Sequence, residues 1–318
     1  MHDAQAIVAR FEAALDPARP TAGGAAEIVG YGEVSTVVRL AALAGRVCKR
    51  MAGFDDAAAV ARYLTVLARY LELLAAHGIE PAETEPITVE LPGRRPVVYL
   101  LQPDFDRRGF GSEILRAGDD AQLLACLDRV LAHVRTLVAA NRRSADGRTL
   151  TVDAQLSNWH FSLGANAGTR RDLGSPRLVD VGTPFMRLHG VDEIGIELFL
   201  APVPPPFRAL SRWQRDVERY IDDYFDPRML LLDLLGNFHK EGRPDRIALA
   251  CAHVNRWLAA DGAELDVVPL AVADVDGYYR RDARKLEFFL RVRRLDRWVR
   301  TRVLRQRYAF ILPGPIRR

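Results

Sequence analysis

The sequence predicts an α+β fold in which a small strand-rich part joins a larger helical part. Three observations carry this. EIVGYGEVSTVVRL (27–40) and RVCKRM (46–51) read as short strands around a glycine turn. An amphipathic segment from Asp56 to His77 follows, closed by Gly78 with Pro81 soon after, which is a normal helix stop. Beyond PVVYLLQPDFD (96–106), a buried strand leading into a proline-containing linker, the long segments have helical spacing. The boundary falls at Gln102–Pro103, which divides the chain into residues 1–101, opened by an N-terminal helix, and residues 102–318.

Each strand-rich element carries a residue whose type matters. Gly30 and Gly32 free the backbone for close approach to an anion, and Val34, Thr36 and Val38 alternate as a strand should. Lys49 stands out because the chain has only three lysines (Lys49, Lys240, Lys285) against 42 arginines. A chain so inclined to arginine keeps a lysine where a compact ammonium is wanted instead of a planar fork. VDAQLSNW (152–159) then sets Asp153 five residues ahead of Asn158, and PRLVDVG (176–182) places Asp180 between apolar residues before a glycine. Phosphoryl transfer uses this grouping: one carboxylate faces the acceptor hydroxyl, while an amide oxygen and a second carboxylate hold Mg²⁺ against the phosphates. Taken singly, each piece has an ordinary reading. The glycines suit a hairpin, the lysine a strand edge, and Asp153 and Asn158 a turn. Their order along the chain is what favours chemistry.

Glycine turn, lysine strand, helix, linker strand, Asp-x4-Asn and Asp-x-Gly occur here in the order found in protein kinases and aminoglycoside phosphotransferases. Over roughly residues 27–190 the chain resembles the protein kinase-like superfamily, closest to its small-molecule phosphotransferase branch. The resemblance implies a bilobal kinase-like fold with a small antiparallel β-sheet N-lobe and a larger helical C-lobe. It implies that Gly30, Gly32 and Ser35 cover the phosphates and that Lys49 pairs with the α- and β-phosphates. Glu72 would pair with Lys49, and Leu101 and Gln102 would offer backbone groups to the adenine. Asp153 would be the catalytic base, with Asn158 and Asp180 as metal ligands. Four departures from the family pattern stand out. Thr151 and Val152 precede Asp153, Ser35 replaces the third glycine, Val181 follows Asp180, and Glu72 sits late in its helix.

Composition sets the surroundings. With 318 residues, 49% of them hydrophobic, the chain can bury a sizeable core. Cys48, Cys126 and Cys251 have neither metal-like spacing nor an even framework, and read as buried residues in a reducing compartment. The N-terminus is amphipathic with acidic residues, unlike a signal peptide, and no run approaches the roughly 20 apolar residues of a membrane helix. A cytoplasmic protein without an integral membrane segment is expected. Residues 279–318 carry 14 Arg/Lys and three acidic residues in a chain whose net charge is only +4. The segment 280–307 is expected to form one long helix with Leu286, Phe289, Leu290, Val292, Leu295, Trp298, Val299 and Leu304 at near-helical spacing. It reads either as an anionic-surface or nucleic-acid element or as a helix packed on the large lobe. The second is favoured because so regular a stripe should be covered. Nucleic acid is not expected as a partner, since aromatic residues interleave thinly and the remainder of the chain is acidic.

The segment past Asp180 would choose the substrate. GIELFLAPVPPPFRAL (195–210) is extended by its prolines, and YAFILPGPIRR at the end reads as a strap. Asp222, Asp223, Asp233, Asn237 and His239 follow the prolines, and an acidic cleft would suit a cationic acceptor. His160 reads as a packing or hydrogen-bonding residue. The expected function is ATP- and Mg²⁺-dependent transfer of the γ-phosphoryl to a hydroxyl of a small molecule. The alternatives are a pseudoenzyme of the same fold that binds nucleotide or ligand without turnover, and a nucleotidyl transferase on the same scaffold.

Overall fold

The computed structural model describes residues 2–22, 24, 26–32, 34–163, 173–204 and 210–314. The chain is α+β. Helix α1 (His2–Ala14) precedes strands β1 (Ala26–Tyr31), β2 (Ser35–Leu40) and β3 (Arg46–Ala52). Helix α2 (Ala57–Ala76) follows, then β4 (Glu80–Pro81), β5 (Glu85–Val89) and β6 (Val97–Pro103). Five of these strands form one antiparallel sheet in the order β1-β2-β3-β6-β5. β6 leaves that sheet at Pro103, one residue past the expected boundary.

The boundaries of α2 follow from its ends. The Asp56 side chain accepts a hydrogen bond from the Ala59 amide at 2.7 Å, and Gly78 takes a φ of 74° just past the helix. β4, directly after α2, does not join the large sheet. It pairs in parallel with β9 (Leu173–Leu178), which itself pairs antiparallel with β8 (Trp159–Leu163). That link ties the first part of the chain to the segment carrying Asp180.

The helical part contains α3 (Gly111–Ala117), α4 (Asp120–Arg143) and the short strands β7 (Arg148–Leu150), β10 (Met186–Leu188) and β11 (Val191–Asp192), which form a third sheet. α5 (Glu197–Leu200), α6 (Ser211–Phe225), α7 (Pro227–Lys240), α8 (Ile247–Ala260) and α9 (Val272–Trp298) complete it, with a turn of π-helix over Val299–Val303. Part of the proline segment and the end of the strap, 205–209 and 315–318, lie outside the described residues, as does most of the loop 163–176. The described part of the strap packs as expected, with Tyr308, Ile311 and Leu312 buried.

Two apolar clusters hold the chain. One runs from α2 (Tyr63, Leu67, Tyr70, Leu74) through α4 and α7. The other seals the opposite face of the large sheet under α1, with Val8 against Val38, Cys48, Tyr99 and Leu101. Polar groups are buried there too. Arg50 donates to both oxygens of Glu12 at 2.7 and 2.9 Å, and Tyr99 donates to Glu12 at 2.6 Å. Burial alone would raise the Glu12 carboxyl, but Arg50, Tyr99 and Arg307 overcome it and hold the group below its ordinary value.

α9 differs from expectation. It begins eight residues earlier than the expected start at Arg280, and its apolar stripe is only partly covered. Leu290 is buried, but Leu295, Trp298 and Leu304 are exposed. Arg293 takes a core place instead, 3% exposed, with its guanidinium 5.2 Å from the ring centres of Phe289 and Phe310. Among the described residues, no helix is long and apolar enough to cross a membrane.

Candidate functional site

Lys49, Asp153, Asn158 and Asp180 come from three separate stretches of chain and meet at one cleft. Lys49 sits in β3 opposite Val37, 8% exposed, and its ammonium is hydrogen-bonded to the Asp180 carboxylate. Gly182 permits that approach, since a Cβ there would lie 3.0 Å from Lys49 Cε. Asn158 ends a 3-10 turn whose geometry is fixed by its neighbours. Its amide N–H donates to the Gln155 carbonyl at 2.9 Å, and its carbonyl accepts from the Val179 amide at 2.9 Å. The Asn158 side-chain amide donates to the Asp153 carbonyl at 3.4 Å. The turn holding Asn158 is thereby fastened to the residue just before Asp180.

Two cavities share this wall. The larger, about 690 Å³, lies under the glycine turn and is lined by Gly30, Gly32, Ser35, Lys49, Gln102 and Asp180, among others. The smaller, about 350 Å³, holds Asp153 and opens toward α7 and α9. Lys49, Asn158 and Asp180 line both.

The residues expected around the nucleotide differ in where the fold places them. Gly32 is closely packed: its N–H donates to the Ser35 carbonyl at 3.0 Å, and a Cβ would meet Ser35 Oγ at 2.7 Å, so that hydroxyl would have to turn away. Gly30 is not, because a Cβ there would find only Val37 at ordinary contact, 3.9 Å. Leu101 lies away from the cleft, 1% exposed between Cys48 and Glu85 in the sheet. Gln102 does line the cavity, and its side chain donates to Thr84 Oγ1 and to the Val179 carbonyl, each at 3.0 Å. Beyond it Pro103 has no N–H, and the Asp104 N–H is taken by the Gly45 carbonyl at 2.8 Å.

Glu72 is exposed on α2 and forms no ion pair with Lys49. The physical reason is helical phase. The α2 face turned toward the cleft carries Tyr63, Leu67 and Tyr70, all buried, so Glu72 points to solvent. Tyr63 donates to the Gly182 carbonyl at 2.9 Å and Tyr70 to the Thr151 carbonyl at 2.7 Å. Two phenols therefore tie α2 to the segments bearing Asp153 and Asp180.

Around Asp153 the structure assembles a polar floor. Asp153 accepts from the Gln155 amide at 3.0 Å, and the Gln155 side chain donates to buried Asp233 at 2.7 Å. Lys240 lies 3.4 Å from both Asp233 and Asp282. Burial, and next the nearby Asp233 charge, push the Asp153 carboxyl up to about 7 against the opposing Gln155 hydrogen bond and the pull of Lys240. Burial also raises the Tyr278 phenol beside the same carboxylates. Asn237 is 1% exposed, donates to Gln155 at 3.1 Å, and leaves its Oδ1 without a partner among the described residues.

Of the acidic-cleft candidates, Asp233 and Asn237 reach this floor. Asp222 pairs with Arg187, and His239 lies 2.8 Å from Asp276. Asp223 is raised by burial, without a place in the cavity lining. His160 is a packing residue: its Nε2 lies 3.1 Å from the Asp106 carbonyl and its ring stacks 4.8 Å from Phe105. Gln155, Lys240, Tyr278, Asp282 and Arg293 were not expected in the site. The available signal was the i, i+4 and i+7 spacing of Asp233, Asn237 and Lys240 on one helix face.

Among the described residues no group of three or more His, Cys, Asp or Glu could hold a metal by itself. Asp180 and Asn158 do fit Mg²⁺, which is commonly held by one or two carboxylates together with substrate phosphates and water. No curated protein matches the chain. A family model covers residues 10–297, and the chain accordingly belongs to a family of unknown function, DUF6206.

Proposed function

We propose that this protein has a bilobal kinase-like fold and is an ATP- and Mg²⁺-dependent phosphotransferase that phosphorylates a hydroxyl of a small molecule. The observation that carries the reading is the convergence of Lys49, Asp153, Asn158 and Asp180 on two adjoining cavities, with Asp153 confined to one of them. The cavity under Gly32 and Ser35 would take the nucleotide, and the one floored by Gln155, Asp233 and Asn237 the acceptor.

In this mechanism Asp153 accepts the proton of the acceptor hydroxyl as its oxygen bonds to the γ-phosphorus and the bond to the ADP oxygen breaks. A carboxyl pushed up to about 7 suits that task near neutral pH. Asp233, Gln155 and Asn237 orient the acceptor through hydrogen bonds, and Lys49 exchanges Asp180 for phosphate oxygens. Mg²⁺ held by Asp180 and Asn158 would neutralise charge on the phosphates.

The test is calorimetric titration with ATP, with and without Mg²⁺, beside Asp180→Ala. Binding that requires both Mg²⁺ and Asp180 supports the reading, and no binding in either condition refutes it. A second reading, a pseudoenzyme of the same fold that binds nucleotide or ligand without turnover, is favoured by the exposed Glu72, which leaves Lys49 without the glutamate partner of the family pattern. Metal-independent binding unaffected by Asp180→Ala would select it, while release of pyrophosphate on turnover would indicate nucleotidyl transfer.

A further inference from the structure

The outer face of α9 carries a row that packing leaves largely exposed, although Phe288 stacks 5.9 Å from Trp213. Arg284, Phe288, Arg291, Leu295, Trp298 and Arg302 follow one another at alternating steps of four and three residues, and all six are exposed. Such spacing places them along one side of a helix. Phe288, Leu295 and Trp298 each leave more than half their surface in solvent. The π-helical turn that ends the row adds exposed Val303, then Leu304, and every residue from Thr301 to Arg307 is exposed. This end of the helix projects from the fold before Tyr308 returns the chain to the core.

Its charge is one-sided. Arg300 is bound to Asp296 and Arg307 to Glu12, but Arg297, Arg302 and Arg305 make no ion pair among the described residues. A cavity of about 430 Å³ at the same end is lined by Arg50, Arg94, Arg95, Arg300 and Arg307 against the acids Glu12 and Asp296. There the nearby Arg94 and Arg50 charges add to the dominant effect of burial in lowering the Arg307 guanidinium.

We infer that this end of α9 docks on an anionic phospholipid surface. The apolar side chains would enter the boundary between headgroups and acyl chains, Trp298 would sit at headgroup level, and the unpaired arginines would meet the lipid phosphates. A second copy of the chain is a poorer occupant. Antiparallel pairing of the row about position 293 sets Arg284 against Arg302, a like-charge contact at each end. Nucleic acid is a poorer occupant as well, because Leu295, Val303 and Leu304 give it nothing to bond or stack on.

The test is co-sedimentation of the full chain with vesicles of phosphatidylcholine alone and of phosphatidylcholine mixed with phosphatidylglycerol. Two variants run beside it, Leu295→Ser with Trp298→Ser, and Arg297→Glu with Arg302→Glu and Arg305→Glu. Every substituted side chain is at least partly exposed, and circular dichroism verifies that both variants fold. Wild type is expected to sediment with the phosphatidylglycerol vesicles only. Each variant should weaken that binding by at least about tenfold. Equal binding by wild type and both variants would overturn the inference, as would no sedimentation with anionic vesicles. Duplex DNA binding in place of vesicle binding, or a dimer in solution abolished by Leu295→Ser with Trp298→Ser, would overturn it too.

Discussion

Replacing Asp153 with asparagine should make the ligand-free protein more stable at neutral pH. The carboxyl is pushed from its ordinary 3.8 up to about 7. Between those values the folded state binds more protons than the unfolded chain, so this residue's contribution falls as pH rises. With about 1.4 kcal/mol for each pH unit of that interval, ionised Asp153 costs the fold about 4 kcal/mol at most. Water reaching the open side of the cavity keeps the realised cost below that ceiling. The side-chain amide introduced by Asp153→Asn would keep an oxygen to accept from the Gln155 amide and would remove the charge facing Asp233. The assay is urea unfolding of both proteins from pH 4 to pH 8.5, followed by tryptophan fluorescence. The variant's advantage should be near zero at about pH 4, grow through the interval, and level off above about pH 7. An advantage of the same size at every pH would refute the reasoning, because the gain would then come from packing and not from charge. The same variant should abolish phosphoryl transfer while nucleotide affinity stays nearly intact.

Two further outcomes follow from buried polar groups. Glu12→Gln strips the charge from a buried pair and leaves the Arg50 guanidinium uncompensated, which should cost about 3–5 kcal/mol in urea unfolding near neutral pH. Because the folded Glu12 carboxyl lies below its ordinary value, its contribution is present above about pH 5 and fades as pH falls through the folded value, so the two proteins should converge in acid. Tyr70→Phe removes the donor to the Thr151 carbonyl and should cost about 1–3 kcal/mol. A loss below a few tenths of a kcal/mol would show that water replaces the phenol.

How much of this was legible depended on how local the cause is. The ends of α2 could be read because Asp56 and Gly78 act on the backbone within a turn of themselves. The meeting of Lys49, Asp153, Asn158 and Asp180 at one cleft could be anticipated because each sits in a short string of the kind used in phosphoryl transfer. Glu72 was misplaced because a carboxylate in roughly the right helix says nothing about rotation. The apolar face fixes the phase, and that face presents Tyr63 and Tyr70. The Glu12–Arg50 pair joins residues 38 positions apart, and no periodicity links a buried arginine in a strand to a buried glutamate in a helix. α9 failed in the opposite sense. Its apolar residues form two rows, and hydrophobicity alone cannot tell which one the fold covers. The buried Arg293, held over Phe289 and Phe310 and 3.5 Å from the Tyr308 hydroxyl, occupies a place that periodicity assigns to an apolar side chain.

The pairing of Lys49 with Asp180 bears on how the proposed reaction would begin. With Glu72 turned to solvent, nothing on α2 competes for the lysine, and the ammonium neutralises the carboxylate that a metal would need. In the proposed reaction, nucleotide and metal binding would then be coupled. A cation held at Asp180 would displace Lys49, and the freed ammonium would need an anion such as the nucleotide phosphates. Neither exchange is favourable alone, since an unpaired charge in this part-buried site lacks the solvation it would have in water. ATP without a divalent cation should therefore bind weakly, and a divalent cation without ATP weaker still. Tyr63 and Tyr70 hold α2 to Gly182 and Thr151 without adding charge, so the exchange can proceed while the frame around it stays fixed.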